Sequence, residues 1–303
     1  MKQFIYKILF FSCLIIFGYV ILYTIANNLN KSDNDYMAAI IDKHERIDSI
    51  KSPKIIFAGG SNLPFGIDSK MIQDTLHIPV INLGLHAGLG LDFMLNELQS
   101  CIKNGDIVLI STEYFLDNGY YNLKKFTQKI YPKAQHYYTK NYLLEIQANI
   151  ENTRNHLKSL LKQKKKNEVS VYSRESFNTY GDIAMQLTIL APKNIKADHI
   201  LHYHHWEGIQ KLNDFNQFAK TKNVKVFFVY PAYPESKYLK NKTAIAKLNQ
   251  DMEKELQFKI LGQPNDFIMS DSLFFDTTYH LISKGRTARS KKIIDLLQKE
   301  RLQ

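Results

Sequence analysis

The sequence predicts an α/β fold: a parallel five-stranded sheet in a three-layer arrangement, carrying a largely helical insertion and preceded by an N-terminal membrane helix. Three observations predict it. Short apolar runs at 54–58, 78–83 and 106–111 alternate with segments of helical periodicity, the order that gives parallel strands joined by right-handed crossovers. The same rhythm returns after about residue 201. The opening residues hold one long apolar run.

That run comes first. Lys2 and Lys7 precede a stretch from Ile8 to Ala26 that is apolar almost throughout, and Phe4 and Ile5 extend it. The length suits a helix that crosses a bilayer. Basic residues ahead of it put the N-terminus in the cytoplasm and the rest outside. A cleaved signal peptide is the rival reading. Thr24-Ile25-Ala26 is a poor small-residue cleavage site and the run is long for a signal, so residues 1–26 are read as an uncleaved anchor. Residues 27–53 read as a polar stalk with a short helix around Tyr36 to Ile50, and Pro53 marks the start of a domain over 54–303. The expectation is a single-pass protein of the inner or cytoplasmic membrane with a periplasmic or extracellular domain.

Within the domain, Lys54–Ala58 is the first strand and Ile67–Leu76 an amphipathic helix. Ile78–Leu83 is a second strand, followed by a glycine-rich loop, Gly84–Gly90. Asp92–Ile102 is helical, with Phe93, Leu95, Leu98 and Ile102 apolar, and Asn104-Gly105 stops it. Asp106–Ser111 is the third strand. From Tyr114 to about Leu201 the rhythm breaks, and this stretch is read as an insertion over or beside the sheet edge. In it Tyr142–Leu161 is helical, Lys162–Lys166 is a basic run read as a solvated helix end, with an anionic-surface contact as the alternative, and Asn178–Asp182 is turn-like. A helix over Trp206–Thr221, a strand over Val224–Tyr230 ended by Pro231, a helix over Tyr238–Leu256, a short strand over Phe258–Leu261 and a last helix over Ser283–Leu302 follow. Five strands with covering helices make a three-layer, flavodoxin-like sandwich.

Composition narrows the function. The 303 residues are 45% hydrophobic, enough for a full core, and 40 basic against 29 acidic residues give a net charge of +11. A basic balance favours phosphate-rich surfaces. No nucleic-acid-binding motif accompanies it, and the joint richness in Lys, Asn and Ile reads as compositional bias, so nucleic acid is not an expected partner. Cys13 lies in the apolar run and Cys101 in a helical pattern, so neither a disulfide nor a cysteine metal site is expected. His202-Tyr203-His204-His205-Trp206 has no partnering carboxylate or cysteine spacing and reads as aromatic lining of a cleft rather than a metal site. No metal and no cofactor are expected.

The chemistry centres on Ser61. Gly59-Gly60-Ser61-Asn62 follows the first strand, at the strand end where open α/β sheets place their sites. The plainer reading of Ser61 is a helix cap. A serine nucleophile needs a base, and the base needs an acid to hold it. Asp276 and His280 lie just before the last helix, and their spacing puts both on one face of a helical turn. The amides of Ser61 and Gly84 are candidate oxyanion donors. His86, in the same loop as Gly84, is a candidate substrate contact, with a structural role as its alternative, and Asn62 stands with these oxyanion and substrate candidates.

These blocks resemble the SGNH (GDSL-type) hydrolase superfamily. The anchor and the Asp-Thr-Thr-Tyr-His-Leu ending are similar to its cell-envelope branch, which includes alginate O-acetylation proteins and the teichoic-acid D-alanylation partner. The resemblance covers roughly 54–300 and rests on three short blocks. It implies a flavodoxin-like sheet, no metal, and ester or acyl-transfer chemistry with Ser61 as nucleophile, His280 as base and Asp276 as its orienting acid. The substrate it implies is an envelope polysaccharide or another acylated glycan, with a membrane acyltransferase as an associated partner. The chain departs from the pattern in three places. Gly60 replaces an acidic residue, Asp276 lies four residues before His280 where three is commoner, and Ser111-Thr112-Glu113-Tyr114 stands where an Asn usually completes the oxyanion hole. An ionised Glu113 cannot donate and repels an oxyanion, and losing one such donor costs about two to three powers of ten in rate. Glu113 reads otherwise as a contact to a sugar hydroxyl or a loop cap. The expectation is therefore an anchored esterase or O-acyltransferase, with a catalytically silent holder of a glycan or acyltransferase as the alternative.

Overall fold

The computed structural model describes residues 1–29, 34–161, 170–188 and 200–300. The basic run at Lys162–Lys166 lies outside them. Helix α1 runs over Lys2–Leu29. Within its 23-residue Lys2–Thr24 part an 18-residue window reaches a mean hydropathy of 2.3 and is not buried against the rest of the chain. At 1.5 Å per residue it extends about 35 Å, so this helix is long and apolar enough to cross a membrane.

The sheet is built from β1 (Ile55–Gly59), β2 (Val80–Asn82), β3 (Ile107–Ser111), β4 (Lys225–Val229) and, after a detour, β6 (Lys259–Leu261). All five are parallel, in the order β2-β1-β3-β4-β6. Ile55 lies level with Val80 and Ile107, and Gly59 with Ser111. Every residue of β1, β2 and β3 is buried, as near-continuous apolar strands require when helices cover both faces. Helix α4 (Gly90–Cys101) packs on β1 and against α7 (Gly208–Thr221), while α3 (Ser69–Leu76) packs on β2 and against α9 (Ser283–Gln298). At the far end of the strands from Ser61, Lys54 and Asp106 form a wholly buried ion pair at 3.1 Å.

Three features were not anticipated. Inside the insertion, α5 (Tyr121–Ile130) pairs with α6 (Tyr142–Leu161). Its half-buried Tyr121, Leu123, Phe126 and Ile130 had helical spacing, masked by a segment rich in tyrosine and lysine. Between β4 and β6 lie β5 (Tyr233–Pro234) and the expected helix, α8 (Glu235–Glu255), and β5 forms a separate parallel pair, not anticipated, with β7 (Ile268–Met269), which follows β6. Asp182, read as part of a turn, is fully buried. It accepts hydrogen bonds from the amide and hydroxyl of Ser69, from Asn82 and from Arg286, while Asn178 does hold the turn through the Tyr180 and Asp182 amides.

The segment read as a stalk behaves differently from Tyr36 onward. Helix α2 (Ala39–Ser49) buries Ala39, Ile40, Lys43, His44 and Ile47 against the domain. Lys43 Nζ donates to the carbonyls of Asn82 (2.8 Å) and Gly181 (2.6 Å), and Arg46 donates to Val80 O at 3.0 Å. The Asn82 amide in turn donates to Tyr180 O. These contacts occupy the free edge of β2, which would otherwise offer unpaired backbone groups. The charged residues of α2 made it look solvated. His44 is buried because it pairs with Glu97 at 2.9 Å.

The integration of α2 is measurable. Ile40→Ala should destabilise the chain by about 2–5 kcal/mol, whereas a stalk residue would cost within about 0.5 kcal/mol. Denaturant unfolding of the detergent-solubilised chain, followed by the fluorescence of Trp206, its single tryptophan, reads the difference.

Candidate active site

Ser61 stands in a tight run of turns at the carboxyl end of β1. A Cβ on Gly59 would lie 1.8 Å from Ser111 O, so the backbones of β1 and β3 can approach here only with glycine. Leu63 N donates to Gly60 O, Phe65 N to Ser61 O, and Gly66 N to Leu63 O. Helix α3 starts only at Ser69, and Asp68 caps it by accepting from the Met71 amide. Ser61 is therefore not a helix cap, and its hydroxyl is spare.

Asn62 faces inward, which corrects its reading as a substrate contact. It is fully buried. Its Nδ2 donates to Ser111 O at 2.9 Å and its amide to Glu113 Oε1 at 3.1 Å. Arg289, from α9, donates to Asn62 O (2.8 Å), Asn62 Oδ1 (3.1 Å) and Ser111 Oγ (2.8 Å). Burial lowers the Arg289 pKa to about 10, against the pull of Glu113 and Tyr114, so the guanidinium stays charged at neutral pH. Asn62 thus fixes the turn from behind.

His280 and Asp276 do not share a helical turn, contrary to the expectation. They lie in a tight loop closed by an antiparallel bridge between Phe274 and Leu281, and Phe275 N donates to His280 O at 2.7 Å. The loop delivers the juxtaposition by another route. His280 Nε2 is 2.9 Å from Ser61 Oγ, and His280 Nδ1 is 2.8 Å from Asp276 Oδ1. An ionised carboxylate only accepts, so Nδ1 carries the proton and Nε2 is left to accept from the Ser61 hydroxyl. Phe65 stacks on the imidazole with ring centroids 3.8 Å apart and planes 6° from parallel. Burial pushes the Asp276 carboxyl up, but the hydrogen bond and charge of His280 and a hydrogen bond from Tyr172 outweigh it, holding Asp276 below the usual range.

Tyr172 was missed by sequence reasoning. Its hydroxyl donates to Asp276 Oδ2 and lies 3.4 Å from His280 Nδ1. Burial, and then Asp276, raise its pKa, so the phenol remains a donor. No spacing or motif in the sequence connects Tyr172 to the pair it touches.

Ser61, His86, Glu113, Tyr172 and His280 open on a cleft of about 490 Å³ whose wall also holds aromatic side chains such as Tyr36, Tyr114, Phe115 and Tyr120. Among the described residues that line it there is no Lys or Arg. His86 forms part of the wall, with its Nδ1 accepting from the Gly88 amide, and burial and then His280 push its imidazole below its usual value. Gly84 does not serve as the expected oxyanion donor. Its amide donates to Asn82 Oδ1 at 3.0 Å, and a Cβ there would sit 2.6 Å from Leu63 Cβ. The His202–Trp206 stretch does not line this cleft. Trp206 is buried and donates to Leu116 O at 2.8 Å, and His205 pairs with Glu255. Among the described residues no group of three or more His, Cys, Asp or Glu could hold a metal ion.

Glu113 follows β3 on a loop that other contacts over-determine. Tyr114 N donates to Tyr279 Oη at 3.2 Å, Trp206 holds Leu116 O, and Phe115 between them is forced to φ 55°, a conformation rare for a bulky residue. The Glu113 carboxyl lies against Gly60, where a Cβ would come within 2.2 Å of Oε2 and 2.4 Å of Oε1. Oε1 accepts from Asn62, whereas Oε2 is buried without a hydrogen-bond partner.

The Asp276 shift predicts an acid-side effect. Because the folded pKa is depressed, the stability it contributes is complete above the ordinary Asp value near 3.9 and is lost as pH falls through the lower folded value. Asp276→Asn should flatten the decline of melting temperature that sets in below about pH 4, read by thermal melts from about pH 5 downward.

The site has to be understood from its own geometry: no family model matches the chain, and no curated protein matches it.

Proposed function

We propose that this chain is a membrane-anchored serine esterase or O-acyltransferase acting outside the cytoplasm on an acylated glycan of the cell envelope. One observation carries the reading: Ser61, His280 and Asp276 form an unbroken hydrogen-bond chain of 2.9 and 2.8 Å at the mouth of a cleft. In that arrangement His280 takes the proton of Ser61 as the hydroxyl attacks an acyl carbonyl, and Asp276 holds the ring and stabilises the imidazolium. The resulting serine ester is resolved by water or by a sugar hydroxyl. Hydrolysis and transfer differ only in that second nucleophile.

Further features support the details. The strand order has the 2-1-3-4-5 pattern of flavodoxin-like sheets once the intervening β5 is set aside, in keeping with an SGNH-like fold. The aromatic wall offers faces for sugar rings, and the want of Lys and Arg among its described residues favours a neutral acyl glycan over a polyanion. Lys2 and Lys7 ahead of the apolar helix favour an anchor with its N-terminus in the cytoplasm. A silent protein that holds a glycan or a membrane acyltransferase is the second reading, and the carboxyl of Glu113 beside the Ser61 turn is what favours it.

A fluorophosphonate probe and p-nitrophenyl acetate separate the two. The esterase reading expects stoichiometric labelling at Ser61 and turnover that Ser61→Ala reduces by at least about 10⁴-fold. A folded chain that neither labels nor turns over belongs to the second reading. Adding sugar alcohols to the assay distinguishes transfer from hydrolysis by the appearance of an acylated sugar.

A further inference from the structure

We infer that Glu113 works as a neutral carboxylic acid, its Oε2 hydroxyl donating a hydrogen bond to the acyl oxyanion formed at Ser61. This rests on the esterase reading and supplies a donor beside the Ser61 amide, in place of the one expected from Gly84.

The geometry comes from both sides of the nucleophile. The carboxyl group packs against Gly60 and accepts at Oε1 from the Asn62 amide, so it straddles the residues that flank Ser61. It also lines the same cleft as Ser61 and His280. Its second oxygen is buried and unpartnered, which is costly for a carboxylate and far less so for an acid with a hydrogen to share. The glycine at 60 leaves the space, and the strained loop through Phe115 holds the group in it. The amide once expected from Gly84 is already engaged by Asn82.

Burial and the neighbouring charges act in opposite directions on the group, and burial is the larger effect. Burial raises the Glu113 pKa above the ordinary value, opposed by hydrogen bonds from its own backbone and from Asn62 and by His280. The groups facing it are His280, Arg289, Tyr36 and Tyr279. The Arg289 guanidinium is engaged with Asn62 and Ser111. A carboxylic acid kept neutral by an apolar site is an established type of oxyanion donor.

In the reaction, Ser61 Oγ bonds to the acyl carbon as its proton passes to His280 Nε2. The carbonyl π pair moves onto the oxygen, and Glu113 keeps its proton while sharing it in a hydrogen bond. Collapse restores the carbonyl and breaks the bond to the sugar oxygen, which takes the proton from His280. An ionised Glu113 removes the donor and adds a like charge, so the rate falls as pH rises through its elevated pKa.

Infrared difference spectroscopy and kinetics on the full chain test this. At neutral pH, wild type minus Glu113→Gln should show the carbonyl band of a protonated carboxyl group, and fluorophosphonate labelling of Ser61 should shift it to lower frequency. Glu113→Ala should lower kcat by about 10²–10³-fold with KM little changed. Glu113→Gln, whose amide can both accept from Asn62 and donate, should stay within about tenfold of wild type and lose the alkaline decline. Labelling of Ser61 without a protonated band, a band unmoved by labelling, or Glu113→Gln as impaired as Glu113→Ala in folded protein would overturn the assignment alone. No labelling of Ser61 would overturn the esterase reading and this inference with it.

Discussion

The buried guanidinium of Arg289 is the constraint on which the site depends. It reaches from α9 into the interior and meets the carbonyl and side chain of Asn62 together with the Ser111 hydroxyl. A buried cation persists only where polar partners satisfy it, so these groups are not free to move apart. Through Asn62 it fixes the turn that carries Ser61, and through Ser111 it joins that turn to the end of β3. The same helix begins directly after the loop of Asp276 and His280. One element therefore sets both halves of a contact between residues 219 positions apart.

A second layer closes over this pin. Arg174 binds Asp42 through two hydrogen bonds, of 2.8 and 2.6 Å, tying the insertion to α2, and both cover the edge of β2. Phe65 stacks on His280, Tyr172 packs tilted against both, and Tyr36 packs tilted between Tyr172 and Phe177. Excluding water on that side strengthens the attraction between imidazole and carboxylate. The segment that completes the Asp276 environment is thus irregular in secondary structure yet firmly held by side chains.

Much of the fold was legible because its signals are local. Val, Ile and Phe runs bounded by glycine or proline gave the five principal strands, and helices such as Tyr142–Leu161 had the periodicity of their structure. Ser61, Asp276 and His280 were legible as residue types in a plausible order. What was not legible depends on contacts between distant segments. Lys43 and His44 look like surface residues until Asn82 and Glu97 are placed beside them. Gly84 and Asn62 look like donors until their hydrogen bonds are seen to be occupied from within. Tyr172 carries no pattern at all, because its role is set only by where the insertion returns. The Asp276–His280 loop was misjudged since a spacing of four suits a helix, while the bridge at Phe274 and Leu281 imposes a hairpin.

The contact between Gly60 and the Glu113 carboxyl has a consequence for how this chain can change over generations. With side-chain oxygens 2.2 and 2.4 Å from where a Cβ would stand, the two positions are epistatic. Any larger residue at 60 displaces the glutamate carboxyl from this pose, so the pose is open to the chain only while 60 remains glycine. Restoring a side chain at 60 costs the pose rather than the acid, because the clashing oxygens are the free end of a flexible side chain that can swing aside.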